Sequence, residues 1–167
     1  MIIGVDPGLV KPAVVFLSEN KTILEVVSPL RAFEGESLEG RYSQLAKFEW
    51  RLPSWMIVTA DEPIDVVIEY PQYLKSLKGQ KSADRQDLTK LCFAAGILFA
   101  SLKRQYPFAA FFLYTPMEWK GQVPKKVTKQ RMIKLYTDSM VKYLTEDAID
   151  ALALATYHYE RTRKPVS

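Results

Sequence analysis

Apolar residues along the chain occur in short continuous runs and in longer stretches with helical spacing, which together predict alternating strands and helices. Three short runs come first, at residues 1–6, Ala13–Leu17 and Ile23–Val27, with turn-like polar residues between them. Short connections of this kind favour an antiparallel meander. Two later apolar runs, at residues 64–70 and 109–114, predict two more strands.

Helical spacing of apolar residues predicts the remaining elements. These helices are expected at residues 42–60, 84–104, 128–143 and 146–163. Pro53 lies inside the first stretch and should kink or divide that helix. The order βββ-α-β-α-β-α-α predicts an α/β fold with a mixed sheet, formed by one domain over residues 1–167.

Composition places the chain among ordinary globular domains. Its 167 residues are 48% hydrophobic and 25% charged, which excludes disordered, collagen-like and coiled-coil classes. Cys92 is the single cysteine and forms no internal disulfide, so we expect a reducing, cytoplasmic compartment. Because no run approaches about 18 consecutive apolar residues, we expect no membrane span.

The charge is unevenly distributed along the chain. The net charge is +4, but residues 1–71 carry 6 basic and 11 acidic side chains, whereas residues 72–167 carry 17 and 8. Residues 120–142 are the most basic, with seven Lys or Arg against one Asp. This polarity favours a polyanionic partner such as nucleic acid.

Four carboxylates stand where elements of the predicted fold end or begin. Asp6 follows the first strand, although an Asp-Pro-Gly turn would also explain it. Glu69 ends an apolar strand, where a carboxylate needs a metal, a cationic partner or an exposed strand end. Asp147 and Asp150 are three residues apart, which puts both on one helix face. Their place in the first turn would also stabilise the helix dipole.

Together these residues form an all-oxygen set of possible metal ligands. Carboxylates are suited to hard divalent cations such as Mg²⁺ and Mn²⁺. A zinc site is disfavoured, because the chain has one cysteine and His158 is its single histidine.

Three segments resemble the RuvC family of Holliday-junction resolvases. They are Ile-Gly-Val-Asp-Pro-Gly at residues 3–8, Val-Ile-Glu at 67–69 and Asp-Ala-Ile-Asp-Ala-Leu-Ala-Leu-Ala at 147–155, in the family's order and at its intervals. The resemblance implies an RNase H-like fold, with three antiparallel and two parallel strands in one five-stranded sheet flanked by helices. It also implies that the carboxylates act together as catalytic residues holding two Mg²⁺ ions, for which Mn²⁺ can substitute: Asp6, Glu69, Asp147 and Asp150.

The activity implied by the resemblance is Mg²⁺-dependent nicking of DNA four-way junctions, leaving a 5′-phosphate and a 3′-hydroxyl. Some phage-type relatives also act on other branched DNA, such as three-way junctions, forks or flaps. The resemblance therefore implies the cytoplasm of a bacterial cell or of a phage-infected host. An RNase H-like ribonuclease acting on structured RNA and a non-catalytic junction-binding protein remain alternatives. A kinase-like phosphotransferase is disfavoured, because 167 residues with seven glycines leave little room for its phosphate loops and second domain.

The family resemblance also suggests which residues contact DNA. Lys129 is similar to the family's lysine near the scissile phosphate, so the resemblance implies that Lys129 is a catalytic residue as well as a phosphate contact. Further DNA contacts are expected from Lys120, Lys125, Lys126, Arg131, Lys75, Lys78, Lys81 and Arg85. A solvated surface is the alternative for each of them. Well-known members carry a junction-opening aromatic residue three positions after the catalytic glutamate. Here that position is Gln72, with Tyr73 and Tyr70 as candidate substitutes.

The helix predicted at residues 84–104 is apolar on nearly every side between Leu88 and Leu102. Such a helix must be covered on two faces, one by the sheet and one by a partner. Family members pair through the corresponding helix, so the resemblance implies a homodimer with two sites for two strands.

Overall fold

The computed structural model describes residues 1–8, 11–28, 37–50, 63–71, 85–136 and 139–163. Its elements, in chain order, are β1 (Ile2–Asp6), β2 (Ala13–Leu17), β3 (Ile23–Val27), α1 (Leu38–Lys47), β4 (Asp65–Glu69), α2 (Arg85–Gln105), β5 (Ala110–Tyr114), α3 (Pro116–Trp119), α4 (Lys125–Leu135), a 3₁₀ helix at Ser139–Tyr143, and α5 (Glu146–Thr162). All five strands lie where the apolar runs predict them.

The strands form one mixed sheet in the order β3-β2-β1-β4-β5. β1, β2 and β3 pair antiparallel, whereas β4 runs parallel to both β1 and β5. Val5 lies opposite Ile68, and Glu69 lies opposite Tyr114. The carboxyl ends of β1, β4 and β5 therefore meet at one edge of the sheet. The predicted five-stranded mixed sheet is confirmed.

Helices cover both faces of the sheet. Alternate strand residues point to opposite faces, so Ile2 and Val67 pack with Leu152 of α5, whereas Ile3 and Val66 pack with Leu98 of α2. Burial on both faces explains why the central strands are continuous apolar runs. Within the described residues, no helix is both long enough and apolar enough to cross a membrane.

Gly4 determines how closely α5 approaches the sheet. A Cβ atom at this position would clash with the backbone oxygen of Ala151 and would lie 2.8 Å from the Cβ of Ala155. Because glycine has no side chain, α5 can cross directly over β1. This crossing carries Asp147 and Asp150 toward the end of β1, where Asp6 lies.

Two helices differ in extent from the sequence prediction. α1 begins at Leu38 rather than residue 42, because the Ser37 side chain caps it by accepting a hydrogen bond from the Gly40 amide at 3.1 Å. α4 spans Lys125–Leu135 rather than residues 128–143, and a separate 3₁₀ helix occupies the end of the predicted range. The predicted kink at Pro53 lies outside the described residues.

The short helix α3 occupies a segment that the sequence predicts as loop. Thr115 and Glu118 form a capping box, and Pro116 occupies the first turn. Proline and a capping box both favour a helix start. The helix brings Trp119 and Lys120 to the edge of the sheet where β4 ends.

Candidate active site

The carboxyl groups of Asp6, Glu69, Asp147 and Asp150 lie near one another at this edge of the sheet. Asp6 ends β1, Glu69 ends β4, and the two remaining aspartates lie near the start of α5. Burial raises the pKa of Asp6 well above its ordinary value, and repulsion from each of the other three carboxylates raises it further. The four groups are therefore close enough to influence one another electrostatically.

Glu69 is held by two donors that follow β5. Its Oε2 atom accepts a hydrogen bond from the Trp119 indole Nε1 at 2.8 Å and another from Lys120 Nζ at 3.5 Å. Burial raises the pKa of Glu69, and Lys120 and Trp119 oppose that rise. The parallel pairing of β4 with β5 makes these contacts possible, since the residues after β5 reach the end of β4.

Lys120 joins Glu69 to Asp150. Its Nζ lies 3.0 Å from Asp150 Oδ2, and the Asp150 side chain is only 4% exposed. Burial lowers the pKa of Lys120, but Glu69 and Asp150 outweigh that effect, so the pKa is raised overall. The lysine is therefore charged at neutral pH and partly offsets the negative charge of the site.

Lys125 approaches the site from the start of α4. Its Nζ lies 3.8 Å from Asp150 Oδ2 and 3.9 Å from Asp147 Oδ1. A lysine in the first turn of a helix opposes the helix dipole, and the first turn of α4 contains no acidic residue. The carboxylates of α5 therefore offset an unfavourable position of Lys125. Burial raises the pKa of Asp147, and Lys125 opposes that rise.

Asp6 is the least compensated member of the group. Among the described residues, no hydrogen bond to its carboxylate is present, and the attraction of Lys125, which lowers its pKa, is weaker than the effects that raise it. A partly buried carboxylate among three others is unfavourable without a cation. The environment of Asp6 is consistent with a cation-binding position.

The site presents carboxylate oxygens together with two ammonium groups. In the part of the chain that the structure describes, no three acidic, histidine or cysteine side chains form a ready-made metal cluster. The ammonium groups of Lys120 and Lys125 lie beside Asp150, where a cation would compete with them. The four carboxylates nevertheless supply hard oxygen donors, which is the type of ligand that Mg²⁺ prefers.

The other predicted site residues are placed differently. Lys126, Lys129 and Arg131 lie on α4 and make no described contact with the four carboxylates. Among the described residues, Lys120 and Lys125 form ion pairs with these acids. Tyr70 follows β4 and is 44% exposed. The side chains outside the structural description are Gln72, Tyr73, Lys75, Lys78, Lys81 and Arg85.

Trp119 is a residue of the site that the sequence interpretation missed. Its indole group is 9% exposed and donates directly to Glu69. The sequence signal for this contact is the position of Trp119 shortly after β5, because residues that follow a strand parallel to β4 can reach the end of β4. That signal becomes usable only when the order of the strands is known.

The fold is similar to a solved structure described as T. thermophilus RuvC in complex with Holliday junction substrate. The TM-score is 0.66 at 15% sequence identity, and the match covers 99% of this chain and 96% of that chain. No family model and no curated protein sequence matches the chain. The similarity shows that the chain has the RuvC-like form of the RNase H-like fold.

Proposed function

We propose that this RuvC-like chain is a Mg²⁺-dependent, structure-selective DNA endonuclease that resolves Holliday junctions or nicks related branched DNA. Such an enzyme would act in recombination and repair or in phage DNA processing. The observation that carries the proposal is the grouping of Asp6, Glu69, Asp147 and Asp150 at one edge of this fold. The similar T. thermophilus structure contains a Holliday junction substrate, which supports branched DNA as the substrate class.

The four carboxylates would hold two Mg²⁺ ions, with Mn²⁺ as a substitute. Bound metal ions of this kind lower the pKa of a water molecule and stabilise the charge on the leaving oxygen of a phosphodiester. The chain's own residues prepare the site for this chemistry. Trp119 holds the Glu69 carboxylate at Oε2, and the close crossing at Gly4 keeps Asp147 and Asp150 near Asp6.

The lysines at the site would attract and position the phosphate backbone. Lys120 and Lys125 lie beside the carboxylates and reduce the repulsion that a DNA strand would meet there. Lys126, Lys129 and Arg131 extend the positive charge along α4. We assign to these three residues phosphate contacts that orient the strand without reading its sequence.

The exposed face of α2 supports a homodimer. Phe93 is 58% exposed and Phe99 is 37% exposed, and the small residues Gly96 and Ala100 are exposed between and beside them. Exposed phenylalanines next to small residues form an apolar surface that another helix can approach closely. A two-fold dimer through α2 would present two carboxylate sites to two strands of a junction.

A cleavage panel tests the proposal. Four-way, three-way, flap and linear DNA, with a matched RNA junction, are incubated with and without Mg²⁺ and with the wild type, Asp6→Asn and Asp147→Asn. We expect Mg²⁺-dependent nicking of branched DNA that falls at least about 100-fold in both variants, because metal ligands are lost. Glu39→Gln, an exposed acid-to-amide change on α1, should nick like the wild type.

Three outcomes would contradict the proposal. Full nicking by either aspartate variant would show that the carboxylates are not catalytic. Cleavage of the RNA junction in preference to DNA would identify a ribonuclease. Junction binding without cleavage in either Mg²⁺ or Mn²⁺ would identify a binding protein.

A further inference from the structure

A cavity of about 520 Å³ lies beside the carboxylate site, between the α3–α4 segment and α5. Its walls are mainly apolar and include Val123, Met132, Leu135 and Ala153. Two aromatic residues, Trp119 and Tyr157, also line it. A concave apolar space with aromatic walls is the usual form of a site for a flat organic group.

The cavity and the carboxylate site share two residues. Trp119 and Lys120 line the cavity, and the same two side chains contact Glu69 and Asp150 through Nε1 and Nζ. The two sites are therefore separated by single side chains. A strand bound at the carboxylates could place a neighbouring nucleotide in the cavity.

Two threonine hydroxyls lie in the lining of the cavity. Thr156 is satisfied by Tyr136 at 2.7 Å and by the Leu152 carbonyl at 2.8 Å. Thr128, which is 4% exposed, supplies the second hydroxyl. A hydroxyl can both donate and accept a hydrogen bond, so Thr128 offers a polar contact to a ligand in this mainly apolar space.

The rim of the cavity is mainly basic. Lys120, Arg131 and Lys134 line it, against Glu160 as the acidic residue of the lining. An apolar ligand without charge would gain nothing from these cations. A nucleotide combines a flat base, hydrogen-bonding edges and an anionic phosphate, which match the walls, the Thr128 hydroxyl and the rim in turn.

We propose that this cavity binds one unpaired base of the DNA strand, adjacent to the phosphate to be cut. The inference rests on the proposed nuclease function and adds a binding site to it. Duplex DNA keeps its bases stacked and paired, whereas bases at a branch point are more easily unstacked. A cavity that accepts an unstacked base would therefore favour branched over linear DNA.

The test measures junction binding in EDTA, so that cleavage is excluded. A single abasic nucleotide is moved through the positions around the branch point of a four-way junction. For the wild type we expect one position at which loss of the base weakens binding about 10-fold, the size of a typical stacking contact. Leu135→Trp, which fills the cavity from its 46% exposed rim, should weaken binding to the intact junction by a similar factor.

The decisive result is the combination of the two changes. If the base occupies the cavity, the abasic junction should bind to Leu135→Trp about as weakly as it binds to the wild type, because the base and the new side chain occupy the same space. Thr128→Val, which removes the hydroxyl at nearly constant volume, should weaken the intact junction and leave the abasic one unchanged. Met140→Trp, a similar change at a 53% exposed position outside the cavity lining, should bind both junctions like the wild type. Thermal unfolding of each variant verifies that it is folded.

Two outcomes would overturn the inference: no abasic position that weakens binding, or an abasic effect that persists in full in Leu135→Trp. In the second case the base is bound elsewhere, and the cavity serves a different ligand. Nicking of the intact junction in Mg²⁺ is measured in parallel. If the protein nicks the junction but no abasic position weakens binding, the proposed nuclease function stands and base binding in the cavity is wrong. If an abasic position weakens binding through the cavity but no nicking occurs, base binding stands and the proposed nuclease function is wrong.

Discussion

Single residues at the site differ in how well their charge is compensated. Asp150 has Lys120 at 3.0 Å and Lys125 at 3.8 Å, whereas Asp6 has no hydrogen bond from a described residue. The raised pKa of Asp6 means that its ionisation opposes folding. That cost is absent below the pKa of an unfolded aspartate, about 3.9. It grows as pH rises from there toward the raised folded pKa, and it is complete above the folded pKa.

Asp6→Asn should therefore stabilise the metal-free protein at neutral pH, because an amide does not ionise. A gain of about 1 kcal/mol would raise Tm by about 2–4 °C in a chain of this size. Thermal unfolding in EDTA at pH 7.5 measures this change, with Glu39→Gln as the control. Added Mg²⁺ should raise Tm of the wild type more than that of the variant, because Asp6 is a proposed ligand. A variant less stable than the wild type in EDTA would contradict the interpretation of Asp6.

Trp119→Phe should raise the Mg²⁺ concentration needed for half-maximal nicking about 10-fold. The variant keeps an aromatic ring but loses the Nε1 donor that holds Glu69 Oε2 at 2.8 Å, and partners of metal ligands typically contribute 10- to 100-fold. Mg²⁺ titration of nicking and of Tm provides two independent measurements.

Trp50→Phe is the matched control for that experiment. Trp50 is fully buried, and its Nε1 has no hydrogen-bond partner in the described part of the chain. This substitution should lower stability without changing the Mg²⁺ dependence. Equal Mg²⁺ dependence in Trp119→Phe and the wild type would show that the indole contact does not position Glu69.

Among the elements, α5 has the closest fit to the sheet. Gly4→Ala should destabilise the protein by about 2 kcal/mol or more, because the new methyl group overlaps the backbone of Ala151 and α5 must move. Gly96→Ala is the matched change, since a Cβ there meets nothing within 4 Å. It should stabilise α2 by about 0.5–1 kcal/mol. Chemical denaturation measures both, and similar effects of the two substitutions would contradict the close crossing.

His158 connects α5 to the strands and introduces a pH dependence. It is fully buried, with Tyr114 OH 3.0 Å from Nδ1 and Asp65 Oδ2 3.3 Å from Nε2. Burial lowers the pKa of His158, the contact with Asp65 opposes that shift, and Arg163 and Arg161 add to it. The unfolded chain therefore binds the proton more readily, so this contribution to stability is complete above pH of about 6.5 and is lost at lower pH.

His158→Gln should remove that dependence. The difference in unfolding free energy between wild type and variant should be largest above about pH 7 and should shrink as pH falls toward the lowered pKa of His158. Denaturation at several pH values between 8 and 5 measures this difference. The site carboxylates contribute nearly equally to the unfolding free energy of both proteins, so their contribution cancels in the difference. A constant difference across this range would contradict a pH-dependent role for His158.

At the scale of the whole molecule, the site joins the two differently charged parts of the chain. Asp6 and Glu69 come from residues 1–71, with a net charge of −5, and Lys120 and Lys125 come from residues 72–167, with a net charge of +9. The fold places these lysines at the acids, while α4 continues the positive charge beside them. This arrangement would allow the proposed metal site to lie within a basic surface that attracts the proposed DNA substrate.

Ala100→Glu should disrupt the proposed dimer. It places a charge on the exposed face of α2, which would lie at the two-fold interface and be desolvated there. Sedimentation should show a dimeric wild type and a monomeric variant, and nicks on the two junction strands should lose their coupling while single nicks continue. Ser43→Glu, at an exposed position of α1, is the control. A monomeric wild type at assay concentration would contradict the dimer.

The sequence by itself determined the strands, the order of the elements and the residues at their ends. Apolar runs and turn residues act over a few positions, so β1, β4 and α5 could be located without knowing their neighbours. Asp6, Glu69, Asp147 and Asp150 were identified for the same reason. The predicted starts of α1 and α4 were less accurate, because capping and loop geometry shift helix boundaries by a few residues. The structure has these starts at Leu38 and Lys125.

Only the tertiary structure decided which side chains meet those carboxylates. Trp119 reaches Glu69 across 50 residues of sequence, and Lys120 reaches Asp150 across 30. These contacts depend on the parallel pairing of β4 with β5 and on the crossing of α5 over Gly4. Spacing along the chain contains no measure of such distances. Packing brought Lys120 and Lys125 to the acids and formed the adjoining cavity, whereas the catalytic role that the family resemblance implies for Lys129 stays a prediction.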